Sequence, residues 1–440
     1  MSPLELGIAS VVAIVVLIYI GLYIPAALAV VSFLSIWLMR DNFELALNLL
    51  KIAISDNVME YTFATVPLFT FMGLVASKAG LGADIYAVMN DVFKRVRGGI
   101  GMATVGANAV FAAVTGSSIA SASVFTRVAV PEMLRFDYNP RFAVGVVAGS
   151  SVLGMIIPPS AMLIIYSFVA EQSVGQMFLA GIGPGLLLAL AYITAIFFMG
   201  RFTPRFIGGR IGGGCMHDDQ QPLSGAQIMA RTTPTLALIV TVLGGIYTGW
   251  MTPVEAGAIG SIVALLIAVL RRRLTWPAFK EALLETGHIT ASILFLITAA
   301  SIYSRMLGLA DLPGVLAALL HNYQLEFLGV MLIYVVLMLF LGTLLDTASI
   351  ILIVVPLFLP IIEPMGSSLV WFGIVTVIGA EIGLLTPPLG ISCFVIKSSL
   401  GEDCGISLKD VFLGALPFAF VMLLVLVVLI RWPAISIGIL

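Results

Sequence analysis

Four serines, Ser117, Ser118, Ser121 and Ser123, follow Gly116 in the run GSSIASAS. A second run, GSSVLGMIIPPSAM at 149–162, carries Gly154, Ile157, Pro158, Pro159 and Ser160. Proline has no amide proton, so a Gly and a Pro-Pro inside an apolar stretch leave backbone carbonyls without helical partners. Hydroxyls and freed carbonyls together make a neutral cage of oxygens, with no thiolate or imidazole in it. Such ligands suit a hard cation rather than a transition metal. A neutral cage suits a monovalent ion, and sodium held by unwound carbonyls is a recurrent transporter arrangement. The same pattern returns later in the chain. GTLLDTAS at 342–349 and GAEIGLLTPPLGIS at 379–392 supply Gly342, Thr343, Thr347, Ser349, Gly383 and Thr386. Superposing Pro158-Pro159 on Pro387-Pro388 also brings Gly154 onto Gly383. The competing reading is that these small residues only let helices pack closely.

Two carboxylates lie inside the second copy: Asp346 within GTLLDTAS, at the expected tip of the second hairpin, and Glu381 two residues before Gly383. Ionisable groups in apolar spans are functional candidates by default. Either is suited to coordinate an ion, relay a proton, anchor a substrate hydroxyl, or tie the local backbone together. Half-helix N-termini at the breaks favour an anionic group, which makes a carboxylate-bearing substrate an expectation. His217, His288 and His321 are scattered, and Cys215, Cys393 and Cys404 show neither metal-ligand spacing nor a disulfide framework. No transition-metal site is expected. The glycines of GGIGMATVGAN, from Gly98, are not followed by Lys-Ser/Thr, so an ATP-driven pump is disfavoured.

The elements that must position these groups lie in a membrane. The 440 residues are 60% hydrophobic and 10% charged, against roughly 25% charge in soluble domains. Mean hydropathy is +1.15. At about 20 residues per span, the chain holds on the order of ten to twelve. The pattern predicts spans at 6–20, 25–39, 63–76, 142–170 and 178–200, with a hairpin of two short helices at about 98–133. A polar, Gly-rich loop follows at 201–222. The order then repeats: 232–249, 254–270, 289–306, a hairpin at about 327–363, a broken span at about 369–396, and 411–430. Each hairpin is long enough to be two full spans instead. The N-terminus lacks a basic region and a cleavage site, so its first apolar run is read as a retained span. Segments 84–96 and 276–286 have amphipathic helical spacing, consistent with helices along the membrane surface or with solvated loop helices.

Basic residues test this layout. With both termini outside, all but Arg40, Lys51, Arg305 and Arg431 of the 21 Lys and Arg residues fall on the cytoplasmic side. The first hairpin then enters from the cytoplasm and the second from outside. The expected fold is an all-α polytopic membrane protein: an inverted repeat of residues 1–222 and 223–440, each half with a re-entrant helical hairpin and a broken helix. Lipid-exposed backbone cannot be left unpaired, so the breaks must line a protein cavity. Matched interruptions in two halves mark a transporter's binding site. A passive channel is a weaker fit to a sealed, inverted pair. An intramembrane protease would need a second membrane Asp beside Asp346, or a Ser–His pair at membrane depth. No nucleic-acid partner and no enzymatic activity are expected.

Several ordered motifs resemble one family. The stretch from Pro67, beginning PLFTFMGLVASKAGLGADIY, with GG before the hairpin and GSS at its tip, is similar to the large membrane subunit of tripartite ATP-independent periplasmic (TRAP) transporters. PEM at 131–133, IIPPS at 156–160, TPVEAGAIG from Thr252, LLDTAS from Leu344 and EIGLLTPPLGISCFV from Glu381 continue the match over nearly the whole chain. Two positions depart from that pattern: Asp137 stands where a Gly commonly precedes the Tyr, and Arg127 where a small residue is common. The resemblance implies an elevator-type secondary transporter of the bacterial inner membrane, driven by sodium. A periplasmic substrate-binding protein would feed it, and a small four-span membrane subunit, here expected as a separate polypeptide, would accompany it. It implies one sodium site at Ser117, Ser118, Ser121, Gly154, Ile157 and Ser160. A second would lie at Gly342, Asp346, Gly383, Thr386 and Leu389, largely through carbonyls. A small organic anion, of carboxylate or dicarboxylate type, would lie between the two tips, near Ser123, Pro159, Thr347, Glu381 and Pro388. A stand-alone sodium/dicarboxylate symporter of related architecture is the nearest rival.

Overall fold

The computed structural model describes every residue except 1, 95, 97, 209–222, 389, 402 and 403. Helices are numbered in chain order. The chain opens with α1 (Pro3–Tyr19), α2 (Ile24–Arg40) and α3 (Phe43–Met59). A 3-10 turn at Tyr61–Ala64 leads into α4 (Thr65–Lys78), then α5 (Leu81–Phe93). The first hairpin is α6 (Gly99–Thr115) with α7 (Ser118–Arg135). The first broken segment is α8 (Pro140–Ser151), the single turn α9 (Leu153–Ile156) and, past the Pro-Pro, α10 (Ala161–Val169). Next come α11 (Val174–Phe202) and α12 (Pro204–Ile207). Beyond the loop, α13 (Gly225–Ile239) runs through a π turn into α14 (Gly245–Tyr247), followed by α15 (Pro253–Leu270), α16 (Trp276–Leu309) and α17 (Leu312–Asn322). The second hairpin is α18 (Phe327–Gly342) with α19 (Thr347–Ile362), and its broken segment is α20 (Leu369–Leu384) with α21 (Ile391–Leu400). The chain closes with α22 (Leu408–Arg431) and α23 (Ala434–Ile437). Among the described residues the only β feature is an isolated bridge between Tyr138 and Gly208.

Polar residues punctuate this apolar chain at the helix starts, where the first amides have no helical partner. Ser117, Ser160, Ser173 and Ser368 each accept a bond from an amide in the turn that follows. Reciprocal capping boxes join Ser2 to Glu5, Ser224 to Gln227, Thr252 to Glu255 and Ser407 to Asp410. Five described helices are long and apolar enough to cross a membrane, and two bent pairs raise this to seven. Several expected spans fall just short of that length. α1 and α2 have 17 residues each, roughly 25 Å at 1.5 Å per residue. The arms α18 and α19, at 16 residues each, are shorter still.

Two features differ from the sequence reading. The helix α3 is absent from it, because Glu44, Asn48, Lys51 and Asp56 dilute the hydropathy of that stretch. It meets the following Tyr61–Lys78 segment at 56°. Residues 276–286 form no separate surface helix but the start of the unbroken 34-residue α16. The other expected amphipathic segment is a separate helix, α5 (Leu81–Phe93), with one face packed inward and Val92 exposed. Leu81, Ile85, Tyr86 and Val88 are buried, and it packs on α6, α7 and α13. The expected boundary at residue 222 lies outside the described residues.

Asp137 adopts the left-handed conformation, with φ 60°. That accounts for the Gly common at this position, since an L side chain rarely accepts such a φ and Asp is among the more tolerant. Packing links the halves crosswise. The post-break helix α10 lies against the second hairpin arm α19, and α21 lies against the first hairpin arm α7. Within the second half, Tyr334 on α18 and Thr376 on α20 share a buried hydroxyl–hydroxyl bond of 2.7 Å. Trp371 Nε1 donates to Leu429 O of α22 at 2.9 Å. Each such bond is worth about 1 kcal/mol made and 1–3 kcal/mol if one partner is stranded.

Candidate functional site

Each hairpin tip meets the break of its own half, and backbone touches backbone at both junctions. At the first, Gly116 turns the tip with φ +60°, and a Cβ there would fall 2.2 Å from Pro159 O. A Cβ on Gly154 would fall 2.7 Å from Ser117 O. The Ala161 amide, at the start of α10, donates to Gly116 O at 3.3 Å. At the second junction a Cβ on Gly383 would fall 2.3 Å from Gly342 Cα. The paired glycines read from sequence are the residues that permit these contacts.

Proline supplies no amide to the carbonyl four residues earlier, so Pro159 strands Met155 O and Pro387 strands Gly383 O. Hydroxyls answer both. Ser160 Oγ donates to Met155 O at 2.5 Å. Thr386 donates to Gly383 O through its Oγ1 at 2.8 Å and its amide at 2.9 Å. Both Pro-Pro bonds are cis.

The candidate ion residues gather as two groups. Ser117 caps α7, accepting from Ala120 N at 3.3 Å. Ser118, Ser121, Gly154, Ile157 and Ser160 are all buried, and Ser121 Oγ has no hydrogen-bond partner among the described residues. In the second group Gly342 and Gly383 are buried and Thr386 is half-buried. Asp346 caps α19, accepting from Ser349 N at 3.2 Å and from Ser349 Oγ. Leu389 lies outside the described residues. Hydroxyl, carboxylate and carbonyl oxygens are the donors a hard monovalent cation takes, and an unpartnered buried hydroxyl at Ser121 fits that use. Among the described residues no three His, Cys, Asp or Glu side chains cluster as metal ligands.

The candidate substrate residues separate. Thr347 Oγ1 donates to Glu381 Oε1 at 2.7 Å, tying the second tip to α20. Glu381 is wholly buried, and its Oε2 has no hydrogen-bond partner among the described residues. Ser123 instead faces α21, where Ser399 Oγ bonds it at 3.5 Å. Pro159 is buried at the first junction, whereas Pro388 is exposed at the second. Asn108 was not singled out in the sequence. Its Nδ2 donates to Ser150 Oγ at 2.7 Å, one turn before Gly154, and its Oδ1 is buried and unpartnered among the described residues. The readable signal was an amide side chain in an otherwise apolar hairpin arm. Arg305 pairs with Asp56 of α3 at 2.9 Å, rather than standing alone at its helix end.

Two hairpins seated on two interrupted helices within an all-helical, strongly apolar chain define a polytopic membrane transport protein. The solved structure of the Alcanivorax borkumensis YdaH transporter shares this fold, with a TM-score of 0.63 at 14% identity, over 88% of this chain and 90% of that one. The family profile described as "Tripartite ATP-independent periplasmic transporter, DctM component" matches residues 11–435, and the chain belongs to that family. It is 30% identical over 390 residues to the C4-dicarboxylate TRAP transporter large permease protein DctM of Pseudomonas aeruginosa, covering 88% of each chain. It is 29% identical over 380 residues to the sialic acid TRAP transporter large permease protein SiaM of Vibrio cholerae, covering 85% of this chain and 84% of that one. The chain is thus the large permease component of a bacterial inner-membrane system that takes up a solute with a substrate-binding protein. Membership also implies a small membrane subunit as its partner.

Proposed function

We propose that this permease couples uptake of a small organic anion to an inward sodium gradient, with one sodium at each tip–break junction. The observation that carries the reading is the pair of junctions, each built from a glycine contact, a Pro-Pro break and hydroxyls on the carbonyls beside it. Two similar oxygen sites, one per half, the first neutral and the second carrying the single carboxylate of Asp346, suit two monovalent ions better than one multivalent ion. Substrate lies between the tips, where the N-terminus of α7, capped by the neutral Ser117, favours an anion. The names of the two relatives, a dicarboxylate and a sialic acid permease, support that class. The halves have opposite orientation, and hairpins with their broken helices travel together past a frame, as an elevator. The junctions differ in access: Pro158 and Pro159 are buried, while Pro387 and Pro388 are exposed. Irregular backbone cannot face lipid, so the second junction opens to water or to a partner. One-sided access of this kind is what alternating access requires.

The test is uptake into liposomes containing the permease, its small subunit and its binding protein, with sodium, proton and ATP supply varied separately. Uptake is expected to follow the sodium gradient and to be indifferent to ATP. Uptake that persists without sodium, or that tracks a proton gradient alone, would sink the coupling. Activity of the permease without any binding protein would favour the stand-alone symporter.

The basic-residue asymmetry supports a periplasmic location for both termini. With Cys215, Cys393 and Cys404 replaced, a single cysteine at exposed Arg135 should label with an impermeant maleimide only from the cytoplasm. One at exposed Glu363 should label only from the periplasm. The reverse pattern would invert the orientation.

A further inference from the structure

Where α5 begins, one carboxylate gathers two arginines from the other half of the chain. Asp84, in the first turn of α5, is 8% exposed. Arg271 Nη1 donates to Asp84 Oδ2, and Arg273 Nη1 donates to the same oxygen at 3.2 Å. Both arginines also reach backbone. Arg271 Nη2 donates to Ala230 O of α13 at 2.8 Å. The helical partner of that carbonyl would be the amide of residue 234, but Pro234 stands there and has none. Arg273 Nη1 donates to Ala79 O at 3.1 Å, at the C-terminal end of α4, where carbonyls lack partners and a cation is favoured. Gly80 makes room for it, because a Cβ there would fall 2.5 Å from Arg273 Nη1. From the turn between α15 and α16, the two arginines therefore complete stranded carbonyls on α13 and α4 while holding Asp84 of α5.

We infer that this cluster pins the start of α5 to α4, α13 and α15, and so positions the first hairpin, against both of whose arms α5 packs. Asp84 acts as a positioning residue: it touches neither junction and works through where it holds the hairpin's stem. The inference rests on the proposed motion of hairpins past a frame, and places the boundary between fixed and moving parts after the first turn of α5. Burial makes the pin effective. Fully exposed ion pairs contribute little, but here the side-chain exposures are 11% for Asp84, 19% for Arg271 and 45% for Arg273. Removing one member strands a charge in a poorly hydrated corner.

The test measures maximal uptake rate, sodium half-saturation and melting temperature together, with hydrogen exchange on the purified permease. Asp84→Asn is expected to lower the maximal rate by about tenfold or more, as misplacement of a working part does, with sodium half-saturation unchanged. Exchange should accelerate across residues 81–93 and not in α20. Because a stranded arginine can unfold the protein, the paired variant Asp84→Leu with Arg271→Met removes the two most buried charges at similar volume, leaving only the half-exposed Arg273, which keeps its bond to Ala79 O. It is expected to melt like the wild type and still lose maximal rate. A paired variant with wild-type rate would overturn the inference. So would a sodium half-saturation that moves in step with the rate in Asp84→Asn, since that would put Asp84 in the ion machinery. Exchange is read without transport, so the pin is decided even if wild-type uptake proves indifferent to sodium.

Discussion

Gly383→Ala is expected to raise the sodium needed for half-maximal uptake by about five- to hundred-fold. The added methyl would sit 2.3 Å from Gly342 Cα and 2.6 Å from Gly342 C, both backbone atoms of the second hairpin. Neither is the flexible end of a side chain, so the hairpin tip itself must move off the break. Overpacking of this kind costs about 1–3 kcal/mol, and about 1.4 kcal/mol is a decade in a binding constant. The same helix supplies a control. A Cβ on Gly379, one turn earlier, would meet only the Met338 side chain, at 3.4 Å. Gly379→Ala is therefore expected to leave sodium dependence unchanged. The measurement is uptake against sodium concentration in both variants, with melting temperature in parallel. If both respond alike, the tip–break contact has no special part in ion binding.

The second large effect separates ion ligation from helix packing at the same junctions. Ser118→Ala and Thr386→Val each remove a hydroxyl at nearly constant volume, so a packing role would be disturbed only slightly. Ser118 is 2% exposed. Thr386 Oγ1 spends its proton on Gly383 O at 2.8 Å, which leaves its lone pairs available to a cation. Valine at 386 also spares the local backbone, because the residue's amide still donates to Gly383 O at 2.9 Å. A lost ligand costs about 1–3 kcal/mol, by analogy with an unpaired buried polar group. That raises half-saturating sodium about five- to hundred-fold. Carbonyls supply the remaining oxygens, so binding is weakened rather than abolished. Unchanged sodium dependence with unchanged melting temperature, in both variants, would leave these side chains as helix-packing residues.

Both experiments act on positions legible in the sequence, for a simple reason. Proline lacks an amide wherever it stands, and glycine lacks a Cβ, so a Gly and a Pro-Pro in an apolar run mark a break without knowledge of what surrounds it. Two such marks in register predicted both junctions, and the helix starts followed from capping residues that act within a single turn. Composition likewise placed the chain in a membrane. Features that depend on neighbours were not legible. The helix α3 carries too much charge to read as a span, yet it forms and bends into the segment that follows. The role of α5 depends on Arg271 and Arg273, 187 and 189 residues away along the chain. No local pattern links them. Asn108 was readable as an amide in a largely apolar arm, but its partner Ser150, 42 residues further along the chain, was not. Ser123 and Pro388 share the sequence neighbourhood of the tips and breaks, but packing turns one toward α21 and leaves the other exposed. What the sequence by itself determined was where the backbone must be interrupted, because that is a property of single residues. Which side chains close each junction, and which nearby ones turn away from it, was decided only by tertiary structure, because those contacts join residues that the chain holds far apart.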